Sequence, residues 1–323
     1  MTSHPRDTYT NSVYALATIN KTGASTLVVD GGRRRCQHLG IAAAGAADQY
    51  AFQWANTLVG NPRQAPSLEI TLGPLSLRFN SPARLAIAGA EATIKLNGID
   101  RHCWSSFSVN AGDRLDIGYA TAGLRYYLAI GGGFITERLF DSCTPLEADG
   151  SNHYLQAGET LQYRSDEGAA TYKTFANASQ SANLHKMTPW QLRPNYAAPL
   201  TLTLIPGYQF KQFSREAIRS LLKGEYVIGK DSNRMGYRLE GESLDVSSKP
   251  MTSEGIAYGS VQVPSNGQPI VLLNDRQTIG GYPKLGCVSA RDCYALAQCR
   301  PGQSVRFSLD NPLPEKTFQS PPS

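Results

Sequence analysis

Apolar residues in this chain come in short runs, broken every few positions by glycine, proline or asparagine. Ser25 to Asp30, Leu68 to Leu72, Leu75 to Phe79, Arg84 to Ala88, Ala92 to Leu96, Leu124 to Ile130 and Leu200 to Ile205 are brief and partly alternating, which predicts strands. Asn97-Gly98 between Leu96 and Ile99 predicts a two-residue hairpin. Ala111-Gly112, Ala157-Gly158 and Pro301-Gly302 each lead into a similar run, one turn-then-strand pattern used repeatedly. Helical spacing is rarer. Tyr50, Trp54 and Leu58 fall four apart, with Phe52, Ala55 and Val59 beside them, between Asp48 at the cap and Gly60-Asn61-Pro62 at the stop. A second helix is capped by Ser214, turns Ile218, Leu221 and Leu222 inward and ends at Gly224, and a short one is predicted near Ala290 to Gln298. The expected fold is mainly β, two β-barrel lobes with a few short helices.

With 323 residues, the chain exceeds what one small core usually fills. We expect an irregular N-terminus over 1–22, a first lobe over 23–165, a linker over 166–198, a second lobe over 199–310 and a tail over 311–323. The linker reading rests on a stretch rich in Ser, Ala, Asn, Gln and Lys without periodicity. No apolar run approaches the roughly 20 residues of a membrane span, and the polar start lacks a signal-peptide core, so a cytoplasmic location is expected. Net charge +5 is mild for this length. Arg33-Arg34-Arg35 has no interleaved aromatics and reads as a solvated turn, not a nucleic-acid or phosphate surface. Cys36, Cys103, Cys143, Cys287, Cys293 and Cys299 form no C-x-x-C pair and lack zinc-site spacing, so free thiols and no metal are expected.

Chemistry concentrates between Ile270 and Gly286. Ile270 to Leu273 reads as a buried strand that delivers Asn274, Asp275, Arg276, Gln277 and Thr278 to its end, followed by Gly280-Gly281, Tyr282 and Lys284. Arg276, Lys284 and the N–H groups of Gly280 and Gly281 suit a developing oxyanion, with Tyr282 as a donor or stacking wall. Asp48 or Asp275 suits a general base. Asp48 reads equally well as a helix cap, and the sequence leaves both roles open.

That segment, with Ser253-Glu254-Gly255-Ile256, Gly259-Ser260-Val261-Gln262-Val263-Pro264, Asn233 to Gly241, Gln37 to Asp48 and Asn56 to Pro62, resembles the biotin-dependent carboxyltransferase family related to urea amidolyase. The family includes KipA, allophanate hydrolase subunit 2 and the C subunit of bacterial ATP-dependent 5-oxoprolinase. The resemblance covers roughly Gly23 to Phe307 and implies cyclophilin-like barrels. We expect catalysis by Asp48, Asp275, Arg276 and Lys284, and substrate binding by Gln277, Thr278, Gly280, Gly281, Tyr282, Glu254 and Gln262. We expect Gly40 to Asp48 to face Asp275 to Lys284 where the lobes meet. No P-loop, G-x-S-x-G elbow, H-E-x-x-H or Met-Lys-Met biotin site occurs; Lys186-Met187 lacks the preceding methionine. ATP, or biotin on a carrier, must therefore come through partners. The leading expectation is a component of 5-oxoprolinase acting with its subunits A and B, a set that includes a KipI-like partner. The others are a carboxyltransferase acting with biotin on urea or another amide, and a KipA-like module that binds a KipI-like kinase inhibitor. A homo-oligomer is compatible with each. Two departures stand out: Ala42-Ala43-Ala44 and Ala47 replace the proline-rich lead and the methionine before the acid, and Phe140-Asp141-Ser142-Cys143-Thr144 replaces Gly-Ser-Arg-Ser-Thr, losing an arginine.

Overall fold

The computed structural model describes residues 14–23, 25–146, 154–164, 185–245 and 252–310. These fall into two units, one running to Ala198 and also holding Ala297–Arg300, the other running from Pro199 to Leu296 and resuming at Pro301.

The first unit is a ten-stranded sheet. Its strands are β1 (Tyr14–Thr22), β2 (Ser25–Val29), β3 (Ser67–Thr71), β4 (Leu75–Phe79), β5 (Ala83–Leu96), β6 (Ile99–Arg101), β7 (Ser105–Val109), β8 (Arg114–Ile130), β9 (Phe134–Ile135) and β10 (Thr160–Arg164). The main path is β2-β3-β8-β4-β1-β10-β9, and β5 pairs with β6, β7 and β8. The sequence reads β5 as two strands, but it is continuous. Gly89 absorbs a local register shift in the pairing with β8 at φ 111°, where a Cβ would lie 2.4 Å from the Arg125 carbonyl. Asn97 and Gly98 both take left-handed backbone, φ 51° and 82°, as the predicted hairpin between β5 and β6 requires.

Strand periodicity sorts the core into two layers. On β8, Tyr127 and Ala129 pack with Phe52, Ala55 and Leu58 of helix α1 (Gln49–Val59), Phe52 meeting Tyr127 edge to face at 6.0 Å. Tyr126, Leu128 and Ile130 point the other way, into a cluster with Ile19, Leu68, Leu77, Ile87 and Tyr163.

Three expectations need correction. Within 1–22, the residues from Tyr14 onward form β1, which pairs with β4 and β10; its inward positions include Ala15 and Ala17, too small to mark the alternation clearly. Residues 185–198, read as linker, are held on the first unit. Met187 bridges Ser105, and the Ser106 and Thr188 N–H groups donate to the Lys186 and Trp104 carbonyls at 2.8 and 2.9 Å. Arg33 is not solvated: it is buried, and its guanidinium donates to the carbonyls of Leu139 and Thr144 at 3.1 and 2.6 Å. The remaining irregular, linker and tail assignments, over 1–13, 166–184 and 311–323, lie outside the described residues.

The second unit contains β11 (Leu200–Pro206), β12 (Tyr226–Ile228), β13 (Gly236–Glu240), β14 (Glu254–Gly255), β15 (Ser260–Gln262), β16 (Ile270–Leu272), β17 (Ile279–Gly280), β18 (Lys284–Val288) and β19 (Ser304–Leu309). A closed barrel runs β11-β18-β15-β16-β13-β12-β19 and is sealed by parallel pairing of β19 with β11. β14 and β17 form a separate two-stranded ribbon. Leu202, Leu204, Tyr237, Leu239, Val261, Val271 and Phe307 are buried in this unit. Ser214 caps α2 (Arg215–Lys223), accepting from the Ala217 N–H at 3.0 Å, while α3 (Ala290–Leu296) follows β18. Of the predicted inward residues of α2, Leu221 is buried, whereas Ile218 and Leu222 are half-buried. No helix among the described residues is long and apolar enough to cross a membrane.

All six cysteines are free thiols. Each should titrate after denaturation without reductant, and reductant should leave the melting temperature unchanged; a clear loss of stability would reveal a disulfide.

Candidate active site

In the first unit, Asp48 is a cap with more attached to it. One carboxylate oxygen accepts from the Tyr50 and Ala51 N–H groups at 3.0 and 3.1 Å. The other accepts from the Tyr196 hydroxyl and the Gln298 amide, each at 2.8 Å. Gln298 is itself fully engaged: its oxygen accepts from Leu124 and Arg125 N–H, and its nitrogen also donates to the Arg125 carbonyl. Behind Asp48, its own N–H donates to the Tyr127 hydroxyl, which donates to Glu69; Glu69 also takes the Ala47 N–H and pairs with Arg125 at 3.6 Å. Burial pushes the Asp48 pKa up, against the pull of the Gln298, Ala51, Tyr196 and Tyr50 donors. Four donors on its two oxygens tie this carboxylate to the start of α1, to Tyr196 and to Gln298.

The loop departing from the expected Gly-Ser-Arg-Ser-Thr is also tied down. Phe140 stands in left-handed backbone, φ 51°, where glycine would be unstrained. Ser142, the Cys143 N–H and Thr144 all donate to Asp30, at 2.6, 2.9 and 3.1 Å. Burial alone would raise the Asp30 pKa; these bonds and the Gly32 N–H outweigh it, and the net shift is downward.

In the second unit, two of the expected catalytic residues are structural in their contacts. Asp275 is gripped by Arg234 through two nitrogens, at 2.7 and 3.3 Å, with both side chains nearly buried. Arg276 donates to the Leu273 and Ile256 carbonyls at 3.0 and 3.2 Å and lies 5.7 Å from the Tyr258 ring centre. Its pKa is lowered by burial.

Lys284, Glu254, Gln262 and Gly280 come together instead. A register shift after Val261 takes the pairing of β15 with β18 from Val261↔Gly286 to Gln262↔Lys284. On the ribbon, Glu254 pairs with Gly280. The Lys284 ammonium donates to a Glu254 oxygen at 2.7 Å. Gln209 bridges the pair, its oxygen accepting from the Lys284 N–H at 2.7 Å and its nitrogen donating to Glu254, while the Tyr208 hydroxyl donates to the other Glu254 oxygen. The Lys284 hydrogen bond is the largest cause of the lowered Glu254 pKa. Gln262 is 1% exposed, and its amide nitrogen has no hydrogen-bond partner. Gln277, Gly281 and Tyr282 are exposed; Thr278 is half-buried, and its carbonyl accepts from the Ile256 N–H at 3.0 Å.

Tyr208 and Gln209 escaped the sequence reading, although Pro206-Gly207 ends a strand just before them and strand ends are where such groups gather. Tyr196 and Gln298 left no local signal, lying 148 and 250 residues from Asp48. Among the described residues, no group of three or more His, Cys, Asp or Glu side chains is placed to hold a metal ion.

The sequence pattern of the carboxyltransferase domain, subdomain A and B, matches residues 39–309. The chain belongs to this carboxyltransferase family. A relative in Escherichia coli K12, the C subunit of 5-oxoprolinase, is 35% identical over 93% of this chain and 94% of its own length. The Haemophilus influenzae protein of the same name is 32% identical over 87% of this chain and 86% of its own length. The crystal structure of the Kluyveromyces lactis urea amidolyase superposes with a TM-score of 0.80 at 23% identity, over 93% of this chain and 19% of that one, and so shares the carboxyltransferase fold. In this family member, Lys284 and Glu254 form a cation–carboxylate pair whose carboxylate is partly open to solvent.

Asparagine at 48 would turn an N–H toward the Gln298 or Tyr196 donors, so Asp48→Asn should destabilise the protein by ~1–3 kcal/mol, seen as a melting point lower by several degrees. An unchanged melting point would reduce Asp48 to an ordinary cap. Glu254 should stay ionised at pH values below its ordinary 4.5, its pair with Lys284 present above that value and lost only as pH falls through the lowered folded pKa. Carboxyl NMR titration should show this, with Lys284→Met returning Glu254 toward the ordinary range.

Proposed function

We propose that this chain is a subunit of an ATP-dependent 5-oxoprolinase complex that opens 5-oxoproline to glutamate. The observation that carries the reading is the end-to-end match to the Escherichia coli relative named as the C subunit of 5-oxoprolinase, which accounts for nearly the whole of both chains. The chain's own residues supply no P-loop and no biotin-attachment sequence, so activation by ATP falls to partner subunits A and B, the KipI-like partner among them.

The chemistry needed from this chain is the handling of a cyclic amide. In the reaction, ATP phosphorylates the lactam oxygen, water adds to the carbonyl carbon, the ring C–N bond breaks as the nitrogen takes a proton and leaves an acyl phosphate, and a second water releases phosphate and glutamate. Charge builds on oxygen throughout, and a fixed cation beside it lowers that cost. Lys284 fits this role, because it spends one N–H on Glu254 at 2.7 Å and has further N–H donors for an incoming oxygen. Glu254 is the carboxylate beside that cation, whereas Asp48 is held by Gln298 and Tyr196 and Asp275 by Arg234.

The test is reconstitution. The chain alone should turn over neither 5-oxoproline nor urea with ATP, whereas co-purification with its partner subunits should give ATP-dependent release of glutamate. Lys284→Ala in that complex should cost on the order of 3 kcal/mol, about a hundredfold in turnover, as loss of an oxyanion donor does. Turnover of urea with biotin carboxylase and bicarbonate, and none of 5-oxoproline, would replace this reading with carboxyl transfer.

A further inference from the structure

Buried polar groups without partners are costly, and proteins rarely retain them without a use. The Gln262 amide nitrogen is such a group. It is buried with no hydrogen-bond partner, on a residue that is 1% exposed. Its surroundings are specific. Lys284 stands directly across the β15–β18 pairing, so their side chains are neighbours. Gly280 covers the amide from the ribbon: a Cβ on Gly280 would lie 3.0 Å from the Gln262 nitrogen and 2.8 Å from an Ile256 methyl carbon. The β14–β17 ribbon pairs Glu254 with Gly280 and Gly255 with Ile279, and it is anchored through Glu254 to Lys284, Gln209 and Tyr208. Ile279 is 62% exposed.

We propose that the Gln262 carboxamide, beneath Gly280 and beside Lys284, is a docking edge that selects cyclic amides by pairing with their cis N–H and C=O. A primary carboxamide offers a donor and an acceptor side by side. A lactam or ureido ring holds its own N–H and C=O on the same edge and so forms two parallel hydrogen bonds with it. An open-chain secondary amide is trans and presents these groups on opposite edges, so it forms only one. Free glutamate has no amide edge, so the ring-opened product loses this contact and leaves. The ligand reaches the amide by lifting the ribbon at Gly280. An acidic substituent on the ring then meets the Lys284 ammonium. The ligand class rests on the cyclic-amide reading above.

The test is direct binding to the full chain, without partners or ATP, by NMR titration with 5-oxoproline, N-methyl-5-oxoproline and glutamate. Gln262→Met keeps length and volume but removes both polar atoms. It should weaken 5-oxoproline binding at least tenfold while the melting temperature holds or rises, because an orphaned donor is removed. N-methylation, which deletes the ligand's N–H, should cost the wild type at least tenfold and cost the Met variant nothing further. Gly280→Ala, which crowds the amide without touching it chemically, should also weaken binding. The proposal is overturned if the wild type binds no lactam or binds both lactams equally, if Gln262→Met binds like wild type, or if that variant loses stability as a structural hydrogen bond would. These outcomes are separate from turnover. A complex that hydrolyses 5-oxoproline while Gln262→Met binds it normally refutes the docking edge alone; an inactive complex whose isolated chain binds lactams through Gln262 refutes the proposed reaction alone.

Discussion

A charge removed from water must be matched where it lands, and this constraint orders both units. In the first, Asp48 collects four donors, Glu69 sits between Tyr127, the Ala47 N–H and Arg125, and Asp30 collects donors from three consecutive residues. In the second, Arg234 answers Asp275 and Glu254 answers Lys284. The apolar layers supply the bulk of the driving force for folding, but the matched charges fix which loop lies against which strand. An amide nitrogen left unmatched in such a molecule is therefore informative.

The same constraint separates the scaffold from the chemistry. A carboxylate with every lone pair engaged is a poor base, and an arginine spent on backbone carbonyls is a poor anion receptor. Arg276 meets the second description, Asp48 carries four donors on its two oxygens, and Asp275 is held in a two-point pair with Arg234. Lys284 has donors to spare, and Glu254 is partly open to solvent, its side chain 32% exposed. Reactive capacity is thus found where matching is incomplete.

Much of the fold was legible because its signals are local. The four-residue spacing from Tyr50 to Leu58 and the Asp48 cap identify α1, and Asn97-Gly98 identifies its hairpin. β1 was hidden because alanines occupy its inward positions, and β5 was split because a glycine inside a bulge looks like a glycine in a turn. Of the site, Lys284, Glu254, Gln262 and Gly280 could be nominated by residue type, but not as neighbours, since that depends on a one-residue register shift after Val261. Gln209 and Gln298 were out of reach because an uncharged amide becomes legible only through what it touches.

The short return of Ala297–Arg300 to the first unit sets the order in which the protein can be finished. A ribosome has released the whole of β1 to β10 long before Gln298 emerges to meet Asp48, 250 residues behind it. Until then, the buried carboxylate at the start of α1 lacks one partner, and the Leu124 and Arg125 N–H groups lack theirs. Arg300, bonded to the Gly123 and Ala120 carbonyls, completes the same stretch. The first unit to be synthesised therefore stays open until residue 300 has emerged, just before β19 arrives to seal the barrel of the second, and a chain ending before residue 298 lacks the groups that complete this seam.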